Sequence, residues 1–167
     1  MEIVIRTARL CVRPFCKEDE AALASLLADG EVMRFLEPPY SRQRAAKFLE
    51  QAGLCRPPKI LAVDTLGGTF AGYVIYHPCG EKRYELGWIL GREHWNKGYA
   101  GELTRALIAD ARHRTSGLMI ECVPAQQATK HIALQNHFAY AGRQDGCDVY
   151  TLDFEGKEYP GPEGKNG

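Results

Sequence analysis

From Tyr84 to Leu107 the chain reads YELGWILGREHWNKGYAGELTRAL, and this stretch narrows the folds open to it more than any other. An apolar, β-prone run ends at Leu90 and a short turn follows. A helix then starts at Tyr99 and runs to about Arg114, with Leu103, Ala106, Leu107 and Ala111 on one stripe. Two strands precede it, about Lys59 to Thr65 and Thr69 to His77. They are joined by Gly67-Gly68 and followed by the turn Pro78-Cys79-Gly80-Glu81. Short connections make these two strands and Arg83 to Leu90 antiparallel neighbours. The helix must then cross the sheet to the next strand, Leu118 to Val123, and such a crossover is parallel and right-handed.

The remaining elements fit around this unit. Ala8 to Arg13 alternates and reads as an opening strand that Pro14 ends. Lys17 to Asp29 carries Ala21, Leu23, Leu26 and Leu27 at helical spacing, with Gly30 at its C-terminus. After Pro38-Pro39, Ser41 caps a second helix running to about Ala52. Thr129 to about Phe138 reads as a shorter helix. Tyr140 to Gln144 and Val149 to Phe154 read as closing strands around Gln144-Asp145-Gly146. The order is β-α-α-β-β-β-α-β-α-β-β, a mixed sheet flanked by helices. Residues 1–154 are expected to form one domain, and 155–167, rich in Gly, Pro and charge, a flexible tail.

Composition excludes several classes. Lys and Arg number 21 and Asp and Glu number 21, so net charge offers no pull toward nucleic acid or a membrane surface. Met1 to Val12 carries Glu2, Arg6 and Arg9 and lacks the apolar core of a secretory signal, and Ile60 to Gly80 is broken by Asp64 and Gly67-Gly68. A cytoplasmic protein, monomer or homodimer, is expected. Cys11, Cys16, Cys55, Cys79, Cys122 and Cys147 are scattered with no C-x-x-C pair, so free thiols are expected. His77 and Cys79 are the one close His/Cys pair, and no metal is expected.

The chemistry lies in the turn Trp95-Asn96-Lys97-Gly98-Tyr99-Ala100-Gly101. Glycines let a ligand approach the backbone. The helix behind the turn has Asn96 as its one candidate cap, so its first amides are free for phosphate oxygens, with Lys97 as an added charge. Neither G-x-G-x-x-G nor G-K-[ST] occurs, which excludes the Rossmann and Walker A readings.

Three segments, TARLCVRPF, ELGWILGREHWNKGYAGEL and QQATKHIALQNHF, together resemble the GNAT superfamily of N-acetyltransferases, in particular the branch containing the ribosomal-protein N-terminal acetyltransferases. The resemblance spans roughly Thr7 to Phe154 and is most specific in W-x-K-G-Y-A. It implies a mixed α/β (α+β), mostly antiparallel sheet of about seven strands with about four helices. It also implies acetyl-CoA as co-substrate. Its diphosphate would lie on the amides of Trp95, Asn96, Lys97, Gly98, Tyr99, Ala100 and Gly101, and its pantetheine would pair with the strand end at Ile89 and Leu90.

Acetyl transfer to an amine needs a base, and Glu85 is the candidate, set among apolar neighbours on its strand where desolvation favours proton uptake. The competing reading of Glu85 is an ion pair with an arginine. By resemblance Gln126 stands where relatives carry an asparagine that bonds pantetheine. Thr129 stands where a serine faces the sulfur, though it also reads as the cap of its helix. A tyrosine acid common in the superfamily would fall at Ala133, so that role is empty, and Tyr140 is unmatched. His137 replaces the usual glycine before Phe138, and His94, which could approach the phosphates from its place before Trp95, is expected at the surface.

The segment Glu31 to Arg44 and the turn at Asp145 are expected to form the acceptor pocket, with Glu31, Glu37, Asp145 and Asp148 as possible ammonium partners. A protein N-terminal α-amine or a small-molecule amine is favoured over lysine, because an α-amine loses its proton near pH 8 and lysine near 10.4, as rough reference values. The alternative is a non-catalytic acyl-CoA sensor or scaffold; a third reading is an enzyme using a longer acyl or aminoacyl donor.

Overall fold

The computed structural model describes residues 2–156. The expected tail, 155–167, lies outside the described residues from position 157 onward. Among the described residues the strands are β1 Ile5–Arg6, β2 Leu10–Arg13, β3 Ile60–Thr65, β4 Phe70–Cys79, β5 Arg83–Leu90, β6 Gly117–Cys122, β7 Ala139–Gln144 and β8 Cys147–Asp153. They form one sheet in the order β1-β2-β3-β4-β5-β6-β8-β7, antiparallel throughout except for β5 beside β6. The helices are α1 Glu20–Leu27, α2 Arg42–Phe48, α3 Tyr99–Ala111 and α4 Gln127–Gln135. The mixed sheet and its crossover are as the sequence predicts. The extra strand, β1, is two residues long and is turned back onto β2 by the Thr7 N–H donating to the Leu10 carbonyl, 2.9 Å.

Strand alternation divides the core into two layers. Leu86 and Leu90 of β5 face α3 and α4, where Leu103, Leu107, Leu118, Ile120 and Ala133 are all buried. Ile89 points the other way, to Leu23, Leu27, Ala45 and Tyr73 beneath α1 and α2. Arg13 anchors the second layer. Its guanidinium pairs bidentately with Asp19, at 2.8 and 2.9 Å, and also with Asp64 at 2.7 Å, tying β2 to β3 and to the turn before α1.

The feature that shapes the site is a parting of strands. β5 is paired with β4 along its whole length, Arg83 with Cys79 through Leu90 with Gly72. On its other side it pairs with β6 only at Tyr84 with Leu118 and Glu85 with Met119. Beyond Glu85 the two strands separate, and the outer edge of β5 is open up to Leu90. Gly72 is indispensable to the closed side: a Cβ there would lie 2.0 Å from the Ile89 carbonyl oxygen.

α4 ends in a Schellman turn, with the Phe138 N–H on the Ala133 carbonyl at 3.0 Å and the His137 N–H on the Leu134 carbonyl at 3.2 Å. That turn puts His137 in the left-handed region, φ 69°, where a side chain is strained and where the resemblance expects glycine. His137→Gly should therefore stabilise the protein by about 1 kcal/mol, raising Tm by roughly 2–4 °C for a chain of this size. A fall in Tm on thermal denaturation would show that the imidazole makes a compensating contact.

Candidate active site

The parted strands open into a cavity of about 680 Å³. One wall is the end of β5, Trp88, Ile89 and Leu90, with the turn after it. The opposite wall is one side of α4 with its N-cap, from Gln126 to Gln135, and the segment after α1 closes the far side with Glu31, Val32, Phe35 and Leu36.

The turn has the backbone that the glycines foretell. Asn96 and Gly98 both adopt left-handed φ, 58° and 78°, and Gly98, rather than the predicted Asn96, is the N-cap of α3. Among the described residues no side chain caps the helix. The N–H groups of Asn96 through Gly101 donate to no acceptor among the described residues, while the Glu102 N–H reaches the Gly98 carbonyl at 3.1 Å. These free amides, with the helix dipole behind them, form a concave donor surface suited to an anion. Trp95 acts differently. Its indole N–H donates to the Leu90 carbonyl at 2.9 Å, so the side chain brackets the turn and closes the last acceptor of β5.

The turn is fixed from the N-terminal strands. Glu102, in the first turn of α3, accepts from the Thr7 hydroxyl at 2.6 Å, the Arg9 N–H at 3.2 Å and Arg9 Nε at 2.9 Å. The Arg9 guanidinium stacks 4.6 Å above the Tyr99 ring centroid. These contacts hold the Glu102 carboxyl below its usual range despite the opposing effect of burial.

Of the residues predicted from sequence, Ile89, Leu90, Trp95, Asn96, Gly98, Tyr99, Ala100, Gly101, Gln126 and Thr129 line the cavity. Lys97 and Glu85 do not. Arg9 and Arg105 line it without having been singled out. Arg9 stood within TARLCVRPF, but nothing local distinguishes it from Arg6 or Arg13. Thr129 is not a helix cap: α4 begins two residues earlier with Gln126 as its N-cap, and the Thr129 hydroxyl makes no hydrogen bond among the described residues. The Gln126 side-chain oxygen accepts from the Val123 N–H at 2.9 Å, so only its NH₂ group remains for the cavity.

His94 is a correction. Expected at the surface, it is only 7% exposed and lines the cavity, its ring 6.1 Å from that of Tyr99. Neither ring nitrogen makes a hydrogen bond among the described residues, and the carboxylate of the exposed Glu93 is 3.7 Å away. Asp148 is another. It is buried and bridged by Lys130 at 2.9 Å and Arg143 at 3.0 Å, which removes it as an ammonium partner. Glu37 is engaged by Arg44 and the Tyr40 hydroxyl, whereas Glu31 lines the cavity.

Glu85 sits where β5 and β6 part, on the same face of the sheet as Ile89. Its partner is a histidine, not an arginine: His77 Nε2 lies 3.1 Å from its carboxylate across the β4–β5 pair. That hydrogen bond raises the His77 pKa above 6.5, against the lowering effect of burial. On the neighbouring strand, partial burial and the nearby charges of Glu85 and Asp145 push the Glu121 carboxyl up. Among the described residues no cluster of three or more His, Cys, Asp or Glu side chains could hold a metal.

Residues 9–139 match the family model of the Acetyltransferase (GNAT) domain. The chain belongs to the GNAT acetyltransferases. It is 27% identical over 106 residues to the uncharacterized N-acetyltransferase YnaD of Bacillus subtilis, and that match spans 62% of each protein. It is also 27% identical over 177 residues to the uncharacterized N-acetyltransferase p20 of Bacillus licheniformis, covering 93% of this chain and 97% of that one. A GNAT acetyltransferase from Bacillus anthracis superposes with a TM-score of 0.80 at 20% identity, over 90% of this chain and 98% of that one. The ribosomal L7/L12 α-N-protein acetyltransferase RimL, solved with coenzyme A, gives 0.79 at 18% identity, over 93% of this chain and all of its own. The GNAT fold accounts for the mixed, mostly antiparallel eight-stranded sheet. Ala133, where a tyrosine would stand in many GNAT proteins, is fully buried in the core and has no hydroxyl to offer.

The Glu85–His77 pair yields a test. The stability it contributes is complete below about pH 6.5 and is lost as pH rises through the raised His77 pKa of the folded state. In an NMR titration the His77 midpoint should lie above 6.5 and fall toward it in Glu85→Gln. An unmoved midpoint would show that the two side chains do not interact in solution.

Proposed function

We propose that this chain transfers an acetyl group from acetyl-CoA to a primary amine, by direct attack in a ternary complex. The observation that carries the reading is the row of unpartnered amides from Asn96 to Gly101 at the mouth of a cavity that leads to the parting of β5 and β6. The residues fit the cofactor: the amides and Gly98 match a diphosphate, and the open edge of β5 at Ile89 and Leu90 matches an amide-bearing arm. RimL bound to coenzyme A, on the same fold, supports this.

The thioester supplies the acyl group; the chain supplies position and proton traffic. The N–H groups of Lys97, Tyr99, Ala100 and Gly101 complete the diphosphate turn, Trp95 brackets it with its own N–H spent on the Arg92 carbonyl, and the NH₂ of Gln126 is left to bond the arm. Glu85, reached from the α1–α2 side of the sheet, takes a proton from the incoming ammonium, directly or through a water. The amine nitrogen then bonds to the acyl carbon as the carbon–sulfur bond breaks, and the second proton lost by the nitrogen passes through the Thr129 hydroxyl, which gives its own to the departing sulfur. His77 keeps the Glu85 carboxylate oriented toward its neighbours on β4 and β5. The acceptor is an α-amine of a protein N-terminus or a small amine, bounded by Glu31, Val32, Phe35 and Leu36 and drawn by the acids Glu85, Glu121 and Asp145. Residues 1–154 work as one cytoplasmic unit, monomeric or dimeric, with no nucleic acid or membrane partner; among the described residues no helix is long and apolar enough to cross a membrane.

One observation favours a second reading. Ala133 leaves the superfamily's tyrosine position without a proton donor, as a non-catalytic acyl-CoA sensor would tolerate. Free thiol released from acetyl-CoA across a panel of amines separates the two: release supports transfer, and binding without release across the panel supports the sensor.

Gly98→Val should weaken coenzyme A binding at least about tenfold by calorimetry, because a β-branched residue is strained at φ 78° and would distort the amide row. Unchanged affinity would displace the diphosphate from this turn. Glu85→Gln should lower turnover about 100-fold or more while leaving coenzyme A affinity intact. Equal turnover across pH would remove Glu85 from the reaction.

A further inference from the structure

Each glycine of the turn lies under an arginine. A Cβ on Gly98 would meet Arg9 Nη2 at 3.5 Å, and a Cβ on Gly101 would meet Arg105 Nη1 at 3.2 Å. The two guanidiniums come from distant parts of the chain, one from the segment before β2 and the other from the second turn of α3, and both line the cavity. Their charges are only partly spent. Arg9 gives Nε and its backbone N–H to Glu102, but its two terminal nitrogens have no acceptor among the described residues. Arg105 is exposed and makes no ion pair among the described residues.

From this geometry we infer that Arg9 and Arg105 form a two-sided clamp on the diphosphate of the donor, making the enzyme selective for thioesters that carry a diphosphate over bare pantetheine thioesters. The inference rests on the acetyl-CoA reading and goes beyond the backbone cradle. The amides of residues 96–101 present donors from the helix end, and the guanidiniums present charged donors from the glycine side. A diphosphate offers acceptor oxygens in several directions, and one face of amides leaves some of them to water. Guanidinium groups suit the remainder, being planar, permanently charged and weakly hydrated.

Arg9 is also prepared for the role. Stacking on Tyr99 and the Nε contact with Glu102 hold the group in one place, so little side-chain entropy is lost when an anion arrives. Glu102 neutralises part of its charge but bonds Nε alone, so Nη2, which lies over Gly98 on the same edge, and Nη1 keep their hydrogens for an anion. Arg105 lacks such support and contributes as a mobile second arm. Both glycines are then needed twice over: they expose the amides, and their missing side chains make room for the guanidiniums.

Calorimetric titration with coenzyme A, dephospho-coenzyme A and pantetheine tests the clamp in the wild type, Arg9→Gln, Arg105→Gln and the double variant. Each single change should lower affinity for both diphosphate ligands about tenfold or somewhat less, and the double change by more than either alone, with pantetheine binding unaltered. Loss for coenzyme A with none for dephospho-coenzyme A would move the arginines to the 3′-phosphate and overturn the placement. Equal affinity of wild type and double variant for coenzyme A would overturn the clamp while leaving the acetyl-CoA reading intact. A folded wild type that ignores coenzyme A would sink that reading and the clamp with it. Because Arg9 also braces α3, Arg105→Gln, which removes an exposed side chain, serves as the variant free of folding effects.

Discussion

The site depends on an incomplete strand pairing. β5 has a full partner in β4 but only two ladder positions shared with β6, so its outer edge presents backbone groups that the sheet does not satisfy. Such groups are costly when sheltered from water and are normally paired. Here the fold supplies one partner, the indole of Trp95 on the Leu90 carbonyl, and leaves the rest of the edge facing a cavity. A strand edge inside a cavity is suited to receive an extended amide-bearing ligand as an added strand.

The parting has a mechanical consequence. After the turn of residues 91–98 that follows β5, α3 packs across both diverging strands, with Leu103 and Leu107 buried in one cluster with Leu86 and Leu118. The start of α3 is therefore pressed to the rim of the opening, and its uncapped amides face the same space as the free strand edge. Thr7, Arg9 and Glu102 hold that helix end to the N-terminal strands. The uncapped helix start and the free strand edge thus lie side by side at one opening. The GNAT family membership fits this arrangement, since the matched region, 9–139, contains both the anchor at Arg9 and the whole of α4.

Much of this was legible in the sequence. Alternation, two glycine turns and the stripe of Leu103 and Leu107 fixed the three-strand unit and its crossover helix, because those signals are local. Gly98 revealed the turn because only glycine sits easily at that backbone angle. What escaped depends on contacts between distant segments. His94 looks like a surface residue in a polar turn, but it is buried beside Tyr99, which the chain brings next to it from the start of α3. Asp148 looks like a hairpin acid until Lys130 reaches it from α4. The start of α4 was placed late because Gln126 is a poor cap by type and instead secures the turn through the Val123 N–H. Glu85 was expected within its strand, but neither its place where β5 and β6 part nor its partner was foreseen, since the pairing of His77 with Glu85 follows from β4–β5 register rather than from spacing.

The central claim is that the amides at the start of α3 receive the donor's diphosphate. Backbone amide shifts in a ¹⁵N-labelled sample titrated with coenzyme A measure it directly. The N–H resonances of Asn96 to Gly101 should move most, with smaller changes along Ile89 and Leu90. Saturable binding that leaves those resonances in place while shifting others would contradict the account.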